Sequence, residues 1–176
     1  ILEIEKIINT HSINCDFVRD EAFVYTTEDA SIENIENEIE TSQNLGLPVS
    51  YIDSIPFNIS IKAGVKFDQQ ARFHPRKFLL GIIDILENRG IKIYEKSRAV
   101  EIREGKNYIV TTSQGKKIRA SRVIIASHYP FYNKKGLYFS RLYMEKSYIL
   151  AIKAKENYPG GMYINEGGPA RSLRKQ

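Results

Sequence analysis

Cysteine occurs once in the 176 residues, at position 15, and histidine only three times, at 11, 74 and 128. A lone thiol excludes a disulfide framework, and histidines this dispersed form no metal-ligand spacing. A reducing, cytoplasmic compartment is the simplest expectation, in which the Asn58-Ile59-Ser60 sequon carries no sugar. Long apolar runs are also missing. No window approaches the roughly 18 to 20 consecutive apolar residues of a membrane span. The opening ILEIEKIINT carries acidic charges where a secretory leader would carry basic ones. No internal repeat or low-complexity segment occurs. Among eleven glycines no two stand in G-x-G spacing, so the chain has no glycine-rich turn of the kind that cradles phosphates at a helix start.

What is present suffices for a core. With 42% hydrophobic and 27% charged residues, the chain matches one ordinary domain or two small ones, and its composition is not that of a disordered segment. The net charge of +5 conceals a division: residues 1 to 60 hold 2 basic and 12 acidic side chains, whereas residues 61 to 176 hold 24 and 9. A basic half of this kind could mark a nucleic-acid surface. Against that, its Lys and Arg are mostly separated by apolar residues and do not cluster on one helix face. Packing between parts of opposite charge, or a basic surface meeting an anionic cofactor, explains the division as well.

Ile1, Ile4, Ile7 and Ile8 recur at helical spacing with Glu3, Glu5 and Lys6 between them, which predicts a short amphipathic helix over residues 1 to 11. With no initiator Met and no cap before Ile1, it reads as starting inside a longer protein, although a removed tag or a processed terminus would look the same. FVRDEAFVYTT, residues 17 to 27, is expected to form two short strands around Arg19-Asp20-Glu21. Ser31 should cap a helix, Gly46 before Pro48 should stop it, and its face with Glu36, Glu38 and Glu40 should be solvated. Next, VSYID and FNISIKAGVKF read as strand pieces broken by Pro56 and Gly64, with alternation over residues 58 to 62 implying one wet face.

Residues 73 to 130 are the stretch around which the rest is arranged. His74-Pro75 opens a helix with Pro in the first turn, Phe78, Leu79, Ile82, Ile85 and Leu86 line one face, and Arg89-Gly90 closes it. A helix running over a two-residue loop into the apolar IKIYE is the second half of a β-α-β crossover, so residues 91 to 95 are expected in a parallel sheet. Residues 99 to 104, 108 to 112 and 117 to 120, separated by Gly- and Asn-containing turns, predict a β-meander. Val123-Ile124-Ile125-Ala126 reads as a strand covered on both faces, ending in Ala126-Ser127, small enough for backbone to approach a ligand. Residues 137 to 152 and 161 to 164 are expected as Tyr-rich, antiparallel-type strands.

This order, a helix, a glycine, IKIYE, a meander and then RASRVIIASHYP, resembles the FAD-dependent oxidoreductases of the D-amino-acid oxidase and glycine oxidase type. RLYMEKSYILAIK and GGMYI resemble strands of that family's substrate-binding sheet, and HYPFYN resembles its subset fused to a Rieske iron–sulfur module. The resemblance implies an α+β fold with α/β elements: an incomplete FAD-binding domain with parallel strands and a β-meander, plus a mostly antiparallel substrate-domain sheet. It assigns residues 1–70 to the first part of the substrate domain, 71–132 to the later half of the FAD-binding domain and 133–176 to further substrate-domain strands. It implies oxidation of an amine or amino acid by hydride transfer to FAD.

In such proteins the strand after the central helix leads to a residue whose backbone faces the adenine, here Val100, and a small-residue strand end approaches the flavin, here Ala126, Ser127 and His128. A substrate carboxylate held by Arg, with Tyr near the isoalloxazine, makes Tyr163, Arg171 and Arg174 the substrate candidates. Protein groups only orient the substrate in this chemistry, so no catalytic residue is assigned. Because the G-x-G-x-x-G segment is missing, this piece alone is expected to hold FAD poorly and to be inactive.

Each residue also has a plainer reading. His74 is a helix-start residue, His128 a loop cap, Val100 a core strand residue, and the aromatics of residues 129 to 148 a sheet core in place of a stacking platform for bases. RSLRK at residues 171 to 175 is a basic strand or tail. The alternative for the whole chain is a self-contained α+β binding module for an anionic ligand or nucleic acid. Duplex binding that falls steeply with salt would mark it.

Overall fold

The structure is a computed structural model that describes residues 1–129, 131, 132 and 136–175. Pro130 and Asn133 of the HYPFYN motif therefore lie outside the described residues, as does part of the aromatic stretch. In chain order the elements are α1 (Leu2–His11), β1 (Val18–Thr26), α2 (Ile32–Asn44), β2 (Val49–Ile52), β3 (Ala63–Arg72), α3 (Pro75–Asn88), β4 (Ala99–Arg103), β5 (Tyr108–Thr112), β6 (Lys117–Ala120), β7 (Met162–Glu166) and β8 (Ser172–Arg174). Contacts divide them into two units, residues 1–91 with 153–176, and residues 92–152. The class is the expected mixture of α and β, with one mixed sheet and one antiparallel meander.

The first unit carries a five-stranded sheet in the order β2-β3-β1-β7-β8. All neighbours run antiparallel except β1 and β7, which are parallel with Phe23 opposite Tyr163. The antiparallel setting expected for residues 161 to 164 is thus replaced on one side by a parallel one. β1 is a single strand, not the two short ones that its polar Arg19-Asp20-Glu21 suggested. The sheet absorbs the triplet with a bulge: Asp20 faces Gln70 and Ala22 faces Phe67, so β3 carries the extra residue, and Gln69 takes a left-handed φ of 56°. Arg19 donates to the Gln69 carbonyl at 2.7 Å across that bulge.

α2 covers one side of this sheet. Its Ile35 is 1% exposed, packed with Ala63 and Val65 and ringed by Val24, Ile32 and Ile39. Ser31 occupies the cap position, as its type predicts, but its side chain makes no capping bond. Gly46, at φ 74°, ends the helix, and Leu47 donates to the Ser42 carbonyl. Residues 58 to 62 form no strand. Ile55, Phe57 and Ile61 fold over the aromatic side of the sheet instead, and β3 runs on through the polar DQQAR to Arg72. Burial of these three apolar side chains outweighs the weak alternation of the loop.

α1 meets α3 through Ile8, Ile13 and Cys15, with Phe73, Phe78, Ile82 and Ile85 packed against them. His74 caps α3, its Nδ1 accepting the Lys77 N–H at 3.5 Å, with Pro75 in the first turn. Leu79 is exposed, so the buried face of α3 is narrower than the sequence suggested. The helix fits closely because a Cβ on Gly81 would lie 2.6 Å from Ile13.

The second unit contains the meander, with β5 between β4 and β6, as the turn residues predict. The other expected strands do not form. Residues 91 to 95 and 123 to 126 lie outside any ladder, so they build no parallel sheet among the described residues, and Ile91, Tyr94 and Ile124 are exposed. An apolar run becomes a doubly covered strand only where neighbours pair with its backbone and layers cover its faces. Residues 137 to 152 likewise hold one 3-10 turn, Tyr138–Ser140, and no strand, with Tyr143, Tyr148, Ile149 and Leu150 exposed.

Candidate functional site

In the second unit Val100 sits at a bulge. Ala99 faces Thr112 and Glu101 faces Thr111, so Val100 has no residue opposite it. A bulge leaves its extra residue unpaired in the ladder, and the Val100 side chain is 49% exposed. Ala126, Ser127 and His128 are exposed in the irregular chain that follows Ile125. The small side chains of Ala126 and Ser127 leave the backbone there approachable.

Beside these positions lies an open cleft of about 490 Å³. Ile102 and Tyr108 of the meander line it together with Val123, Ile124 and Ile125, with Glu104, Arg122 and Tyr132 among its polar lining. The Tyr132 hydroxyl donates to the Glu104 carboxylate, and that bond, more than burial, pushes the phenol's pKa up. None of Val100, Ala126, Ser127 and His128 lines the cleft.

In the first unit the substrate candidates part company. Tyr163 is 4% exposed and belongs to an aromatic cluster. It stacks on Phe23 with ring centroids 4.5 Å apart and meets Phe57 edge-on at 4.8 Å. Burial, followed by the charges of Asp20 and Glu21, raises its pKa. Among the described residues nothing hydrogen-bonds its hydroxyl. Arg174 stands opposite Met162 in the β7–β8 ladder, on the sheet face away from Tyr163, because alternate strand residues point to opposite faces. Arg171 is placed by its backbone, whose carbonyl accepts the Asn165 N–H at 3.1 Å. Both arginines are exposed.

Sequence reasoning missed the polar node under this cluster. The Asp20 carboxylate binds Arg72 Nε at 2.9 Å and accepts the Gly161 N–H at 3.0 Å, while the Tyr158 hydroxyl donates to the Gly161 carbonyl at 2.9 Å. The only trace in the sequence is Gly160-Gly161 after Pro159; a partner 141 residues away has no local signature. Among the described residues no group of three His, Cys, Asp or Glu could hold a metal ion, and no helix is long and apolar enough to cross a membrane.

Comparison with known proteins gives a consistent picture. The profile of a family described as FAD-dependent oxidoreductase matches residues 1–170. The chain is 34% identical over 171 residues to the Bacillus subtilis (strain 168) protein YhfW, described by name as a Rieske 2Fe-2S iron-sulfur protein; the match covers 97% of this chain and 34% of that protein. Among solved structures, glycine oxidase from Geobacillus kaustophilus superposes with a TM-score of 0.61 at 15% identity, covering 72% of this chain and 36% of that one. L-amino acid deaminase from Proteus vulgaris gives 0.59 at 16% identity, covering 71% and 32%. L-proline dehydrogenase from P. horikoshii gives 0.57 at 15%, covering 68% and 34%. The chain thus spans about a third of the length of each of these proteins.

Proposed function

Because this chain belongs to the family of FAD-dependent oxidoreductases, we propose that it is the central part of a cytoplasmic flavoenzyme that oxidises an amine or amino acid by hydride transfer to flavin. The reading rests on the family match along residues 1–170. In it, residues 71–132 contribute to the FAD-binding domain, and residues 1–70 and 133–176 to the substrate domain. Val100 presents backbone to the adenine, and Ala126, Ser127 and His128 form the small-residue approach to the flavin. The bulge at Val100 supports that role, since its backbone is free of a ladder partner. Bound FAD would supply the hydride acceptor. The protein's own part is to orient the substrate, with the Tyr163 hydroxyl and the Arg171 guanidinium as the groups that would hold it, since Arg174 lies on the other face of the sheet from Tyr163.

The segment that receives the pyrophosphate lies outside these 176 residues in this reading, so the isolated chain is expected to be inactive and to retain little FAD. An iron–sulfur module in the longer protein is proposed as a partner, as the name of the B. subtilis relative suggests. The test is the absorption spectrum of the longer polypeptide. Oxidised-flavin bands that bleach when an amino acid is added without oxygen support the reading, and a colourless protein with no response sinks it.

A further inference from the structure

The Gly161 peptide is held from both sides. Asp20 Oδ1 accepts its N–H at 3.0 Å, and the Tyr158 hydroxyl donates to its carbonyl at 2.9 Å. Asp20 is itself fixed, because its Oδ2 binds Arg72 Nε at 2.9 Å and its Oδ1 also accepts the Glu21 N–H at 3.0 Å, opposite the bulge in β3. Gly161 leads directly into β7, whose second residue is Tyr163. The Tyr163 ring rests against Gly161 so closely that a Cβ there would lie 2.9 Å from the Tyr163 hydroxyl oxygen. The phenol that has no hydrogen-bond partner among the described residues therefore takes its position from a peptide that a carboxylate on another strand holds.

We propose that Asp20 is a positioning residue for the Tyr163 hydroxyl, acting through the Gly161 peptide without touching substrate. The proposal rests on the substrate-facing role given to Tyr163 above. The Asp20–Arg72 pair serves the same end. Arg72 holds one carboxylate oxygen, which leaves the other aimed at the start of β7.

In the flavin-loaded longer protein, Asp20→Ala is expected to raise KM for the amino substrate about tenfold while flavin content is kept and kcat changes far less. Tyr163→Phe should reproduce that rise, and the double variant should add nothing to it. Asp20→Asn keeps an acceptor for the Gly161 N–H and should recover most of the loss. Should Asp20→Ala fail to fold, Tyr158→Phe takes its place, since it frees the other side of the same peptide and should also be non-additive with Tyr163→Phe. Additive losses, or an Asp20→Asn variant as impaired as Asp20→Ala, overturn the proposal. Failure of the functional reading looks different: no flavin is bound, or Tyr163→Phe leaves KM unchanged. The positioning is then decided by NMR on the 176-residue chain. Asp20→Ala must abolish the ring-current shifts of the stacked Phe23–Tyr163 pair and Asp20→Asn must keep them; any other result refutes it.

Discussion

Phe23 and Tyr163 lie ring on ring, 4.5 Å between centroids and 6° between planes, directly opposite each other in the parallel pairing of β1 with β7. Such a pair adds roughly 0.5 to 1.5 kcal/mol beyond the area it buries, and here it needs a residue without a side chain beside it. A Cβ on Gly161 would meet Phe23 at 2.7 Å, and the residue sits at φ 79°. Gly161→Ala is expected to cost about 2 kcal/mol or more, from strained backbone and steric overlap together. Gly160→Ala provides the contrast: its φ is 97° but nothing lies within 4 Å of its Cβ, so only the backbone part, on the order of 1 to 2 kcal/mol, is lost. Urea midpoints measure both, and equal losses would show that the ring contact plays no part.

Tyr158 gives an alkaline signature. Burial first, then the charges of Tyr163 and Asp20, push its phenol from 10.0 up to about 12. Because the folded-state value lies above the unfolded one, the contribution to stability is intact below pH 10 and is lost as pH rises through about 12. Stability should therefore decline across that window, and the decline should be shallower in Tyr158→Phe. Identical slopes in the two proteins would show that Tyr158 is not the group responsible.

The core under α2 offers a cleaner measure of packing. Ile35 is 1% exposed against Ala63 and Val65, which are fully covered. Ile35→Ala is expected to cost about 3 kcal/mol through lost burial and the cavity left behind. Leu47, just past the helix on the exposed loop, should change stability by no more than about 0.5 kcal/mol when cut to Ala. Denaturation monitored by helical circular dichroism tests both.

Local signals carried the sequence reading where structure is local. The meander was legible because its turns hold Gly105, Asn107 and Gly115 between alternating runs, and α3 because His74, Pro75 and Gly90 punctuate it. Residues 91 to 95 and 123 to 126 read as strands because an apolar run signals burial. Whether it becomes a strand depends on a neighbour that no local pattern contains. β1 was divided in two for a related reason: the polar Arg19-Asp20-Glu21 argues against a strand unless the partners of its charges are known. Those partners, Glu5, Arg72, Gly161 and Lys66, come from distant parts of the chain.

The resemblance that placed Val100, Ala126, Ser127 and His128 at a cofactor makes a demand that side-chain chemistry alone does not. If Val100 acts through backbone, its half-exposed side chain should be replaceable, and Val100→Ala in the longer protein should retain its flavin. Val100→Pro removes the N–H at a position with no ladder partner to lose, so it should release flavin while the meander persists by circular dichroism. Ala126→Leu places bulk where backbone must come close and should likewise lower the flavin recovered per protein by about tenfold, the equivalent of roughly 1.4 kcal/mol of binding. A Val100→Ala protein that loses flavin as fully as Val100→Pro would mean that the side chain does the reading, and the backbone assignment would fall.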